Sequence, residues 1–384
     1  MDDGQWIYGP NPFFSVSELS KAPAEISQCV AEKEWEEFHD KLEDFPHSFQ
    51  LENQEQLIPD TLKRLKKGIE SALSVGLKTS LETARARNLL AYLLFCLGHP
   101  ADSLAQTDEA LSVDGQQQNI VSLANRAVIL WQTGRRDDAG KQVELLQDLK
   151  SDKGFSYLHV KARAELAFCY TRMGPRFFSK AIAVFKDVLE QAKEPEKWLW
   201  TFGLALTKRR CLRLQLAPYM QEHDRRGEFF ATLKSFQTVL ENTQCTNLKA
   251  KTFAELAMLP SMTTDTQIKA DLMAAMHGMS PKDCCEQALQ LDGNDVSVLT
   301  KCGMIFGKEK NFTRAIGILT KAVSLRKSSR SYHHIGLAYK ALAKSAEQDG
   351  GPPPPSCSAD FASAGHLLNR ETTSDNTRQH NPCV

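Results

Sequence analysis

A glycine inside a helix costs roughly 1 kcal/mol relative to alanine. A chain that keeps placing Gly or Ala between bulky apolar residues at helical spacing is therefore built around close helix contacts. Tyr332, Ile335, Gly336 and Tyr339 stand as Y-x2-I-G-x2-Y. About one repeat upstream the spacing returns as Leu299, Cys302, Gly303 and Phe306, followed by Ala315, Leu319 and Ala322 in a second helix. The small residue admits the neighbouring helix and the large ones fill the gaps beside it.

The same template fits Leu90, Ala91 and Leu94 with Gly98, Ser103 and Ala110, then Ala127 and Leu130 with Gly134 and Ala139. It fits again at Leu166, Ala167 and Tyr170 with Ala181, Phe185 and Val188. This is the spine of the tetratricopeptide helix pair, which cannot bury its apolar face alone and must stack on its neighbours. The fold class expected is all-α, a tetratricopeptide-repeat superhelix, with Ala91, Ala127, Ala167, Gly303 and Gly336 at close helix contacts.

The expected organisation is a loose N-terminal arm over 1–30, a helical array over 31–345 and a disordered proline-rich, polar tail over 346–384. Trp35, Phe38 and Leu42 predict a helix over 32–44 that Pro46 ends. Gly174 and Pro175 precede a third pair with a longer turn, and the template blurs between residues 248 and 291. Pro352 to Pro355 stop helix formation.

Composition narrows the function. The ten cysteines are scattered and form no C-x2-C pair, which suits reduced, partly buried thiols. The opening residues lack a basic start followed by an apolar run, and no apolar stretch is long enough to span a bilayer, so a cytoplasmic protein is expected. There is no phosphate-binding loop, nucleophile elbow, zinc-protease helix or Cys/His metal spacing, so neither an enzyme nor a cofactor is expected. Overall charge is zero, but residues 1–60 carry 3 basic and 14 acidic side chains, whereas 151–230 carry 15 and 9. A basic middle under an acidic start suits an anionic partner, although solvated helix faces are charged in any case.

Four stretches, LEDFPHSFQL (42–51), NLLAYLLFCLG (88–98), RMGPRFFSKAIAVFKDVLE (172–190) and YHHIGLAYK (332–340), resemble the interferon-induced proteins with tetratricopeptide repeats. The resemblance spans about residues 40–345. It implies a superhelix around a basic tunnel for single-stranded RNA, with a 5′-triphosphate or cap, in innate antiviral defence. By position it implies a 5′-phosphate site at Arg210, in the run Lys208-Arg209-Arg210, with Lys301, Gln50 and His334 nearby. Gln50 stands where that family has threonine, and Ser297, Thr300 and Lys301 where it has tyrosine, arginine and tyrosine. His334 takes a glutamine position. The other reading is a scaffold that binds proteins, or itself, through its repeat surfaces without nucleic acid. Neither reading involves a membrane.

Overall fold

In the computed structural model, residues 33–50, 59–77, 79–113, 118–214, 225–276 and 278–348 are described. The arm expected over 1–30 lies outside them, as does the expected tail past Gln348. Among the described residues the regular elements are helical and none is a strand.

Helix pairs follow one another along the chain. A helical segment at 33–40 (α1) and α2 (Pro59–Val75) precede the pairs α3 (Ser80–Cys96) with α4 (Pro100–Val113), and α5 (Ile120–Gln132) with α6 (Arg136–Ser151). Next come α7 (Phe155–Met173) with α8 (Phe178–Gln191), and α9 (Glu196–Leu214) with α10 (Arg225–Asn242). The blurred stretch resolves into α11 (Thr246–Met258), a short α12 (Thr266–Ala275) and α13 (Pro281–Asp292). Helix α11 pairs with α13, while α12 packs on α10 as an insertion. The unit α14 (Val296–Lys308) with α15 (Phe312–Leu325) follows, and α16 (Ser329–Gln348) packs on both.

The small residues explain the stacking. Ala91, Ala127 and Ala167 are fully buried. A Cβ built on Gly303 would sit 2.5 Å from Leu319 Cγ, inside van der Waals contact. Gly203, in Leu199-x2-Phe202-Gly203-x2-Leu206, is a further copy of the spine: its Cβ would meet Phe185 Cζ at 2.6 Å and Phe168 Cζ at 2.8 Å. Gly336 departs from expectation. Among the described residues nothing lies within 4 Å of a Cβ built there, because no described helix follows α16 to pack over it.

Turns close by one device. Gly98 (φ 82°) lets His99 N donate to Leu94 O at 2.9 Å, and Gly134 (φ 79°) lets Arg135 N donate to Leu130 O at 2.9 Å. These are six-to-one bonds that satisfy the last helix carbonyls. Lys310 (φ 59°) takes the glycine position after α14, where Asn311 N donates to Phe306 O at 2.9 Å. In the third pair the extra residues form a 3-10 turn, Pro175–Phe177, with Phe177 stacked on Tyr170 at 6.0 Å.

The N-terminal helix stops at residue 40, earlier than Pro46 requires, and the chain then turns so that Leu42 and Phe45 bury in the α5–α6 core. Phe38 stacks on Trp131 at 4.2 Å. Buried polar side chains tie the first helices together: Ser48 N donates to Asn125 Oδ1 at 2.8 Å, Ser122 Oγ to Asn88 Oδ1 at 2.8 Å, and Asn88 Nδ2 to Glu165 Oε1 at 2.8 Å. Each bond satisfies a group that burial would otherwise leave costly.

Candidate functional site

Consecutive residues on a helix point about 100° apart, so Lys208, Arg209 and Arg210 of α9 cannot share one ligand surface equally. They reach three different helices. Lys208 Nζ pairs with Glu228 Oε2 of α10 at 3.3 Å, which takes it out of the cluster formed by the other two. Arg209 is buried, and its Nε lies 2.6 Å from Glu255 Oε2 of α11. Arg210 Nη1 donates to the Thr171 carbonyl of α7 at 2.6 Å.

Glu255 is the hub. Its other oxygen, Oε1, lies 3.0 Å from Lys301 Nζ of α14, which also donates to Ser297 Oγ. Burial alone would raise this carboxyl, but Lys301 and Arg209 outweigh burial and hold it below the usual carboxylate range. Arg209, the buried Glu255 and the half-buried Lys301 thus join α9, α11 and α14 in a triad.

Around that triad stand cations from the same row of first helices. Arg172 (α7), Arg213 (α9), Lys308 (α14) and Arg330 (α16) are exposed, and among the described residues none has a carboxylate partner. Burial, then Arg172 and Arg209, pull the Arg210 guanidinium down to about 10. Arg172 and Arg330 are lowered by desolvation first and by neighbouring arginines after it, and Lys308 by desolvation and then Arg213 and Lys269. These side chains touch solvent and are still crowded by the protein around them. The like charges that depress one another there favour an anion.

His334 sits at the α16 end of this wall. Burial, then His333, Arg330, Lys308 and Arg213, hold its imidazole down to about 4, so it is neutral at pH 7. The Gln50 amide is engaged locally: its Nε2 donates to Phe45 O at 3.4 Å and its Oε1 accepts from His47 N at 3.4 Å, so it closes its own segment, while the Gln50 carbonyl accepts from Tyr170 Oη of α7 at 3.5 Å. The geometry therefore gathers Arg209, Arg210, Lys301 and His334, and leaves Lys208 and Gln50 aside.

Glu255, Arg172, Lys308 and Arg330 escape a search for basic runs because none belongs to one, whereas Arg213 stands three residues after Arg210 on the same helix. Register would have found Glu255, which stands two residues before the small, fully buried Ala257 of its helix. Glu165, Lys301 and His334 each stand two residues before the small spine residue of their helix, Ala167, Gly303 and Gly336. Among the described residues no group of His, Cys, Asp and Glu side chains is placed to hold a metal ion, and no helix is long and apolar enough to cross a membrane.

The sequence matches no family model and no curated protein. Among solved structures the fold is similar to that of IFIT1. A monomeric mutant of IFIT1 with Gppp-AAAA superposes with a TM-score of 0.64 at 18% identity, over 85% of this chain and 68% of that one. The human IFIT1 dimer with PPP-AAAA gives 0.61 at 19% identity, over 81% and 64%. The human dimer with m7Gppp-AAAA gives 0.63 at 18% identity, over 85% and 67%. This chain thus spans about two thirds of the length of those proteins, and at such identity the likeness is one of fold, a tetratricopeptide superhelix.

Proposed function

We propose that the concave face binds the 5′ phosphates of single-stranded RNA and that the protein acts as an innate antiviral RNA-binding effector. The observation that carries this reading is the wall of Arg172, Arg213, Lys308 and Arg330 beside Arg210, mutually repelling and without a carboxylate partner among the described residues. A phosphate chain would relieve that repulsion, and Arg can grip phosphate oxygens in pairs. IFIT1, whose fold this one shares, is bound to 5′-triphosphate and capped oligonucleotides in the structures named above.

Arg210 stays charged at neutral pH even with its pKa at about 10. A charge-assisted contact of this kind contributes about 1.5–3 kcal/mol, so Arg210→Glu should weaken RNA binding roughly tenfold or more. Fluorescence anisotropy with triphosphorylated and hydroxyl-ended single-stranded RNA, each titrated with salt, tests the reading. The expected result is tighter binding of the triphosphate end, a steep salt dependence, and loss of both with Arg210→Glu. Equal affinity of wild type and variant at near-physiological salt would overturn the site and favour a protein-binding scaffold.

A further inference from the structure

Two second helices of this array, α8 and α15, share a signature. In α8 it reads Phe178-Ser-Lys-Ala181-Ile-Ala-Val184-Phe185, and in α15 Phe312-Thr-Arg-Ala315-Ile-Gly-Ile318-Leu319. The pattern F-x2-A-x2-aliphatic-[F/L] recurs at one other place in the chain, Phe361-Ala-Ser-Ala364-Gly-His-Leu367-Leu368. Its last residue lies against a small spine residue in both described copies. Phe185 is fully buried in one cluster with Ala167 and lies against Gly203 of α9, and Leu319 fills the position over Gly303. Leu319 thus packs on the small spine residue of its own first helix, whereas Phe185 shares a cluster with that of its own and lies against that of the next.

Helix α16 is a first helix with that small residue and no second helix among the described residues. It packs on α14 and α15. Its Ile335 and Tyr339 cluster with Leu319 on one side. On the other, Gly336 meets nothing described within 4 Å, and the adjacent Leu337 is 49% exposed. A first helix with one apolar face uncovered is an incomplete repeat.

We propose that residues 361–368 form the second helix of this last unit and dock on α16 with Leu368 over Gly336, as Leu319 docks over Gly303. Chain length permits it. Helix α16 runs twelve residues past Gly336, where α14 runs five past Gly303, so the returning chain must come back about 10 Å further along the helix. The twelve residues 349–360 can span up to about 40 Å. This occupant replaces the expectation of a tail that the fold does not need.

Hydrogen exchange on the full-length chain tests the proposal without any variant: amides of 361–368 should exchange at least about tenfold slower than an unstructured peptide of that sequence. Leu368→Asp should abolish that protection and speed exchange in α16 around Gly336. Ser363→Arg, at the position where α15 carries the exposed Arg314, should change neither. Gly336→Ala adds a second readout. With Leu368 packed there the added methyl should lower the melting temperature, as an overpacked contact does; on an open helix face it should raise it. Unprotected amides over 361–368, or a raised melting temperature in Gly336→Ala, overturns the proposal. So does α16 protection that grows with protein concentration and ignores Leu368→Asp, because a second copy would then cover the face.

Discussion

Lys251 Nζ lies 2.7 Å from Glu82 Oε1 although the two residues are 169 positions apart. Lys251 is on α11 and Glu82 on the first turn of α3, so the array curves until its middle meets its start. Asp295, 3.7 Å from Lys251 Nζ, extends the contact to the cap of α14. An ion pair thereby ties α11 to α3.

That tie should be measurable. Both side chains are 17% exposed, between a solvated pair and a buried one. A double-mutant cycle with Glu82→Gln and Lys251→Met, read by urea denaturation, should give a coupling of about 1 kcal/mol, at the upper end for surface pairs. The coupling should shrink as salt rises. Additive single mutants would mean that the two ends of the curve do not hold each other.

A larger loss is expected at the triad. Glu255→Gln keeps the shape but leaves Arg209 and Lys301 without their shared counter-charge, and breaking a buried pair in this way typically costs about 3–5 kcal/mol. Since the folded-state pKa of Glu255 is lowered from 4.5, its contribution is complete above that value and is lost as pH falls through the folded pKa. Urea midpoints between pH 7 and pH 3 should therefore drop less steeply in Glu255→Gln than in wild type. Parallel slopes would remove Glu255 from the acid response.

Two backbone positions make opposite predictions within one unit. Lys310 holds a left-handed φ of 59° at an exposed site, a conformation that costs an L-residue roughly 1 kcal/mol. Lys310→Gly should therefore stabilise the protein by about that amount. Gly303→Ala, two turns earlier, brings a methyl to 2.5 Å from Leu319 Cγ and should cost about 1–3 kcal/mol. Thermal melts of the pair check both signs at once.

The fold was legible because its determinant is local: Ala91, Ala127, Ala167 and Gly303 recur at one position of one spacing, and the contacts follow. The Ser48, Asn88 and Asn125 network left no signal, since isolated polar residues on apolar helices read as blemishes until three helices bring them together. At the site, the run Lys208-Arg209-Arg210 was visible, yet a run cannot say which member faces inward, and the helix sends each to a different partner. Glu255 lies 45 and more residues from the charges it joins, and its role depends on how α9, α11 and α14 pack. The inserted α12 blurred that very region of the sequence.

The imidazole of His334 offers the most specific check on the anion site. Burial, His333, Arg330, Lys308 and Arg213 hold it down to about 4, below its ordinary 6.5. In the unliganded protein the unfolded chain thus binds this proton more readily, so between pH 6.5 and 4 the group works against folding. A phosphate bound among Arg213, Lys308 and Arg330 would offset those cations and raise the pKa, so that binding takes up a proton. RNA affinity should then rise as pH falls from 7 toward 5, while stability without RNA falls. His334→Gln should flatten the affinity slope with the same RNA, which cancels any titration of the RNA end itself. If wild type and His334→Gln show the same pH dependence of affinity, the phosphates do not lie within electrostatic reach of α16.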